Sequence, residues 1–329
     1  MYKEPFGFQS SLAEVLTSFV KEKRACGFTY NMEVWHLRQL DQLWSAPGAQ
    51  VTAVSREWFQ EFVRVRPGKS PGCPARRASL WRELVRHARR RGLEGYLPDA
   101  GVLPIRCRSY APFIFTRKQL GSLFAAADQA TVHSCSPRRP WFMGLMLRLL
   151  YGTGLRVGEA LALNMGDYDP IQNVLIVHQG KNQTERFLPL TASLGERLRE
   201  YGKRFPGNVD TPLFLSPKCP RAAVYGGCIR RNFRKLLITA GLPARIRRVG
   251  PRVHDLRHTF AVHRLENWYL AGEDITAKLP ILSAYLGHRE LRDTYYYLRI
   301  TASFFPEITR RLEAYAGDVI PKEVGHETH

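Results

Sequence analysis

The sequence predicts a mostly α-helical chain with one small β-hairpin, arranged as two domains. Three observations carry that prediction. Apolar residues recur at helical spacing from Phe8 to about Gly92. Periodicity then lapses between Leu93 and Phe113, where Gly92, Gly95, Pro98, Gly101, Pro104 and Pro112 fall close together. Beyond that stretch helical runs resume, interrupted once by two short β-prone segments. A length of 329 residues suits two domains better than one, and 44% hydrophobic residues can fill a core in each.

The first domain reads as four short helices. SSLAEVLTSFVKEKRACG opens on Ser10 and Ser11, both suited to capping, and ends at Gly27. NMEVWHLRQLDQLW carries an apolar stripe at Met32, Trp35, Leu37, Leu40 and Leu43. TAVSREWFQEFVRVR offers Ser55 as a cap and stops before Pro67-Gly68. A Pro/Gly/Arg-rich loop, PGKSPGCPARR, leads into SLWRELVRHARRRG. An extended linker follows. The second domain opens with TRKQLGSLFAAADQ, for which Thr116 is the expected N-cap. The helix PWFMGLMLRLLYGTG and the short helix LRVGEALAL come next. Val174–His178 and Arg186–Leu190 form the hairpin, and helices resume at ASLGERLREYGKRF, CIRRNFRKLLITAG, HDLRHTFAVHRLENWYL and PILSAYLG. SFFPEITRRLEAYAG is a further helical run, and the last dozen residues form a polar tail.

Charge narrows the class of partner. Lys and Arg number 49 against 29 Asp and Glu, a formal net charge of +20, which points to a polyanion. A membrane is the weaker choice: the apolar stretch Trp141–Tyr151 is too short to span one and contains Arg148, and neither terminus carries a basic amphipathic anchor. The start, MYKEPFGFQSS, lacks the layout of a signal peptide. Cys26, Cys73, Cys107, Cys135, Cys219 and Cys228 are scattered without a close pair, so no finger-type metal site is expected and the chain reads as cytosolic and reduced.

Several cationic groups have positions that chemistry could use. Arg156 sits where the turn GTGLR feeds a helix, beside backbone N–H groups suited to phosphate. Lys181 is the one lysine of the hairpin turn. His254 and Arg257 share one helix face through H-x-x-R. His288 follows the LGH turn, and Tyr297 comes nine residues later within TYYYL. Singly each is ordinary: a solvated arginine, a surface lysine, a core or interface tyrosine.

In order, GTGLRVGEALAL, a hairpin with one lysine ending in RFLPL, HDLRHTFA and LGH with tyrosine at the ninth position resemble the tyrosine recombinase (phage integrase) family. The resemblance spans roughly residues 113–300, and residues 8–95 match only in kind. It implies a helical, SAM-like core-binding domain over 1–95, a linker over 96–112, a mixed α/β catalytic domain over 113–316 and a flexible tail over 317–329. It makes Arg156 and Arg257 the pair that clamps the scissile phosphate, and Lys181 the group that protonates the leaving 5′ oxygen. It makes His254 a proton-transfer or phosphate-contacting group, His288 a supporting hydrogen-bond donor, and Tyr297 the nucleophile that forms a 3′-phosphotyrosine. Tyr296 is the rival nucleophile, and Glu159 is expected to brace the fold. The turn GKNQTER departs from the family's frequent GKGxKxR, with Asn182 for glycine and Thr184 for the second lysine, which leaves the hairpin's pose open.

Those residue types suit the chemistry. A phosphodiester under attack gains negative charge, and two planar guanidiniums can hold it without a metal. A phenol with a pKa near 10 needs cationic neighbours and a proton acceptor to attack at neutral pH. The covalent bond stores the energy for resealing, so no cofactor is expected, in keeping with the lack of a GxxxxGK[ST] loop. Further DNA contacts are expected from Arg76, Arg77, Arg89, Arg90 and Arg91 in the first domain. In the second they are expected from Arg230, Arg231, Arg234, Lys235, Arg245, Arg247 and Arg248, part of the whole set serving solubility alone. The resemblance implies double-stranded DNA with specific sites, a homo-tetramer on that DNA, accessory DNA-bending proteins in some systems, and a cytoplasmic, nucleoid-associated integrase or transposase of a bacterial mobile element. Ser303–Tyr315 either docks on a neighbour or packs on its own domain. Two rivals stand beside this reading: a type IB topoisomerase, and a non-catalytic DNA-binding regulator on the same scaffold.

Overall fold

The computed structural model describes residues 6–46, 54–64, 72–99, 111–130, 138–178, 185–215, 224, 226–244 and 250–298. The chain divides into two compact units, Met1–Tyr110 and Ala111–His329.

The first unit holds four helices: α1 (Ala13–Ala25), α2 (Asn31–Trp44), α3 (Arg56–Val63) and α4 (Gly72–Arg90). Their apolar faces meet around Trp81, which is enclosed by Trp44, Phe59 and Phe62 and donates its indole N–H to the Tyr96 carbonyl at 2.9 Å. Ser10 and Ser11 do not cap α1. The Asp41 carboxylate of α2 accepts from the backbone N–H groups of Gln9 and Ser10, at 2.8 and 3.0 Å, and holds the chain's approach to the helix. Ser55 does occupy the N-cap position of α3. The loop expected to reach Arg77 ends earlier, because α4 already starts at Gly72. Pro74 is compatible with a first helical turn, whose N–H groups have no intrahelical partner to lose. The linker also begins later than its composition suggests. Gly95 bridges to Val54, with Tyr96 N–H donating to the Val54 carbonyl at 2.7 Å, and Leu93, Tyr96 and Leu97 pack on the helical core.

The second unit is built on α6 (Arg139–Thr153). Phe142, Met143, Leu145, Met146, Leu147, Leu149 and Leu150 are all buried, so this helix is apolar on nearly every side and runs through the core. Around it stand α5 (Arg117–Asp128), α7 (Val157–Ala162), α8 (Ala192–Arg204), α9 (Gly226–Thr239), α10 (Asp255–Leu270), α11 (Ile275–Leu286) and α12 (Arg292–Leu298). Thr116 caps α5 as expected, accepting from Gln119 N–H while the Gln119 side chain accepts from Thr116 N–H.

The hairpin strands are β2 (Val174–Val177) and β3 (Arg186–Pro189), antiparallel with Val174 opposite Pro189 and Val177 opposite Arg186. Leu175, Val177 and Leu188 face the core while Phe187 faces out, the alternation of a half-buried sheet. A third strand, β1 (Tyr168–Asp169), pairs with β2 and was not foreseen, since two residues show no alternation. α11 starts five residues before the expected Pro280. Asp274 caps it by accepting from Thr276 and Ala277 N–H groups, and Pro280 sits inside at the cost of one backbone hydrogen bond. The C-terminal run Ser303–Tyr315 lies outside the described residues.

Candidate active site

Three helix ends of the second unit meet at one place. α6 ends at Gly154 and α11 ends at Gly287, each with positive φ (+64° and +66°), and α10 begins there. Both glycines reverse the chain in a conformation that side chains rarely adopt, which leaves backbone carbonyls facing inward. Arg257, on the first turn of α10, donates Nη1 to the Gly154 carbonyl at 2.7 Å and Nη2 to the Leu286 carbonyl at 2.8 Å. The two carbonyls lie at the negative ends of their helices, so they hold the cation by charge as well as by hydrogen bond. Arg257 is 2% exposed, and burial lowers its guanidinium to about 10, still protonated at neutral pH.

Arg156 is brought to the same junction by α7, whose N-cap it occupies. Its Nη2 donates to the Gly287 carbonyl at 3.3 Å, and its backbone N–H and Nη1 donate to the two Glu159 oxygens at 2.9 and 2.8 Å. Arg186 of β3 adds Nη2 to Glu159 at 2.7 Å and Nε to the Tyr285 carbonyl at 3.1 Å. Burial alone would raise the Glu159 carboxyl, but Arg186 and Arg156 outweigh it and hold the group below the usual carboxylate range. Glu159 therefore stays ionised inside the protein and ties α7, β3 and, through Arg186, α11 together. It orients arginines. Sequence reading missed Arg186, since nothing in the run RFLPL shows that its first residue meets Glu159.

The remaining polar groups line the mouth of this junction. His254 stands at the N-cap of α10, and one turn later its ring meets that of His258, with centroids 4.9 Å apart. His288 follows α11 and its Nδ1 lies 2.7 Å from the hydroxyl of fully buried Thr294. Tyr297 of α12 is 2% exposed, its ring parallel to that of His288 at 6.0 Å and 5.6 Å from that of His258. Burial raises its phenol, while the charge and hydrogen bonding of Arg257 pull it back only part of the way. Tyr295 is 45% exposed and Tyr296 lies between, so of the three tyrosines it is Tyr297 that packs at the arginines. Desolvation by the surrounding protein, then the charge of Arg257 and Arg156, lowers His254 and His288 to about 4. Burial, with the arginine charge added to it, keeps both imidazoles neutral at neutral pH.

Of the sequence-predicted catalytic set, Arg156, His254, Arg257, His288 and Tyr297 converge here, and Lys181 lies outside the described residues. The predicted DNA-contacting residues divide. Arg230 and Arg234, one turn apart on α9, line a cavity of about 530 Å³ with Arg156, Arg252, Phe233 and His254. Arg231 and Lys235 are also exposed on α9, while Arg245, Arg247 and Arg248 lie outside the described residues. In the first unit Arg76 is exposed. Arg89 is exposed too, donating to the Gly95 carbonyl. Arg90 and Arg91 form open ion pairs with Glu22 and Glu14, pairs too weakly held to hide them from a polyanion. Arg77 corrects the expectation. It is 5% exposed, and its guanidinium donates to the Phe62 carbonyl, the Gln39 side chain and His36, so it serves the core of the helical unit.

The arrangement joins two fixed guanidiniums, neutral imidazoles and a phenol, with the nearby carboxylate already paired. That suits binding a phosphate diester and presenting it to an oxygen nucleophile. Among the described residues no group of His, Cys, Asp and Glu could hold a metal ion, and no helix is long and apolar enough to cross a membrane. Comparison with known proteins agrees with the geometry. The Phage integrase family model matches residues 114–303. A protein of Sinorhizobium fredii named as an integrase/recombinase is 33% identical over 268 residues, 80% of this chain and 83% of its own. The tyrosine recombinase XerD of Caulobacter vibrioides is 28% identical over 248 residues, 74% of this chain and 75% of its own. In fold, the chain is similar to a lambda integrase tetramer bound to a Holliday junction, with a TM-score of 0.63 and 17% identity over 87% of this chain and 76% of that one. Matched by the family across more than half its length, with the two arginines of that pattern meeting at one helix junction, this chain is a tyrosine recombinase of the phage integrase family.

Proposed function

We propose that the chain is a site-specific recombinase that cuts and rejoins double-stranded DNA through a 3′-phosphotyrosine on Tyr297, as the integrase or transposase of a bacterial mobile element. The observation that carries this reading is the seating of Tyr297 against Arg257 at the junction shared with Arg156. The scissile phosphate enters between the two guanidiniums, which hold the charge that grows as phosphorus becomes five-coordinate. Tyr297 oxygen bonds to phosphorus, the bond to the 5′ oxygen breaks, and Lys181 supplies that oxygen's proton. His254 and His288 donate hydrogen bonds to the phosphate. Neither a metal nor ATP has a step in this scheme, since the phosphotyrosine keeps the energy of the bond it replaced. The exposed arginines of α9 and of the first unit position the duplex. Four copies act together on two sites, by analogy with the tetrameric relative on a Holliday junction.

A covalent-trapping assay tests the reading. Nicked duplexes tiling the DNA on either side of the coding sequence are mixed with the protein, and a denaturing gel is read for a protein–DNA adduct. Wild type is expected to form the adduct on one or a few duplexes and Tyr297→Phe to form none. An adduct that survives the substitution places the nucleophile on another residue. Salt-sensitive binding with no adduct on any duplex identifies a regulator, and an adduct without exchange of ends between duplexes identifies a topoisomerase.

A further inference from the structure

His258 is the imidazole at this site that the sequence motifs left unused. It follows His254 by one turn on α10, so both rings come off the same helix face, and its ring meets those of His254 at 4.9 Å, Tyr297 at 5.6 Å and Tyr296 at 6.3 Å. Its Nδ1 is enclosed and has no hydrogen-bond partner among the described residues. An enclosed polar atom without a partner costs stability, and beside a nucleophile it is a candidate for function.

Among the described residues, His258 brings an enclosed, unpartnered ring nitrogen to these neighbours. Arg257 and Arg156 are protonated donors, already engaged with backbone carbonyls and Glu159. His288 is tied to the Thr294 hydroxyl and turns its ring face, at 12° to the tyrosine ring, toward Tyr297. The His254 ring packs against that of His258, with centroids 4.9 Å apart. The groups that bear on His258 electrostatically are His254, Arg257 and Arg252 from α10 and the turn before it, and His288 from the turn before α12. Tyr296 and Tyr297 of α12 face it as neutral phenols. Burial first, then this cationic surround, lowers His258 to about 3, so at neutral pH it is an uncharged ring with a lone pair to offer.

We propose that His258 takes the phenolic proton of Tyr297, directly or through one water, as the tyrosine attacks. The O–H bond of Tyr297 breaks and an N–H bond forms on the imidazole, while the phenolate oxygen bonds to phosphorus and the 5′ oxygen leaves. On resealing, the imidazolium returns the proton to the departing tyrosine. The attacked phosphate, held by both arginines, supplies the negative charge that stabilises the imidazolium in between. The inference rests on Tyr297 being the nucleophile.

The test measures adduct formation against pH on a duplex that wild type cleaves, made with sulfur in place of the bridging 5′ oxygen. A thiolate leaves without needing a proton, so the rate then reports activation of the tyrosine alone. Wild type is expected to hold a plateau through neutral pH. His258→Phe, which keeps an aromatic ring in the packing, and His258→Asn should be slower by about a hundredfold near neutrality. Both should gain roughly tenfold per pH unit as the phenol deprotonates by itself, closing on wild type at alkaline pH. Added imidazole should restore His258→Ala. DNA affinity, measured alongside, identifies any variant that has not folded. A deficit that is the same at every pH would show a packing role and overturn the inference, as would an unchanged rate. If Tyr297→Phe abolishes the adduct while the His258 variants keep the wild-type profile, only this inference falls. If Tyr297→Phe still forms the adduct, the nucleophile assignment falls and the inference with it.

Discussion

Glu159 is paired with both Arg156 and Arg186, and its loss should be felt at each of them. Replacing it with glutamine keeps the shape but removes the charge that faces Arg156 and Arg186, leaving two guanidiniums crowded without a counter-ion. Unpairing a buried ion pair costs about 3 kcal/mol. Urea denaturation of Glu159→Gln should show a loss of that order, and adduct formation should fall even at saturating DNA because Arg156 is no longer held. Unchanged stability together with unchanged rate would show that Glu159 braces nothing. At this scale the legible residues were those at short fixed spacing along the chain: Arg156 before Glu159, His254 before Arg257, His288 before Tyr297. The illegible ones take their meaning from segments distant in sequence. Arg77 sits in a basic run like its neighbour Arg76, and only the arrival of Phe62, Gln39 and His36 around it shows that it faces inward. Arg186 needed Glu159 from another element, and His258 needed the tyrosines of α12.

Among the elements, the joints between helices matter more than their lengths. Gly154 ends α6 under the ring of Phe260, and a Cβ there would lie 2.6 Å from Phe260 Cδ1 and 2.7 Å from Leu286 Cδ2. With φ at +64° the backbone resists a side chain as well. Gly154→Ala should therefore destabilise the protein by about 2 kcal/mol. The larger effect should be on cleavage, since the Gly154 carbonyl holds Arg257 in place. A melting curve and the trapping assay on one preparation check both halves. A variant that melts lower yet cleaves at the wild-type rate would separate the joint from the site. GTG in the sequence announces a turn, but not that Phe260 and Leu286 close over it. The same limit hid the start of α11, where proline reads as a boundary although Asp274 had already capped the helix, and hid β1, which exists only as a partner for β2.

For the whole molecule, pH sets the balance between an unoccupied site and one holding DNA. A histidine with a lowered folded pKa binds fewer protons folded than unfolded between the two values, so its share of stability is full above about 6.5 and is lost as pH falls. His254 and His288 place the loss between there and about 4, and His258 extends it to about 3. The apoprotein should accordingly melt at lower temperature as pH drops through that window. In the proposed reaction a DNA phosphate enters between Arg156 and Arg257, offsetting the arginine charge that adds to burial in lowering the imidazoles, and their pKa values should rise. Binding then takes up protons, and linkage requires that affinity increase as pH falls between the free and bound values. Net charge alone predicts salt-sensitive binding that barely changes with pH across this range, because arginine and lysine do not titrate there. The rise in melting temperature on adding DNA should thus be larger near pH ~5.5 than near pH ~8 at the same ionic strength, and the excess should shrink in His254→Asn. An equal rise at both pH values would mean that the phosphate does not enter between the two arginines, and that the basic surface binds DNA without filling the site.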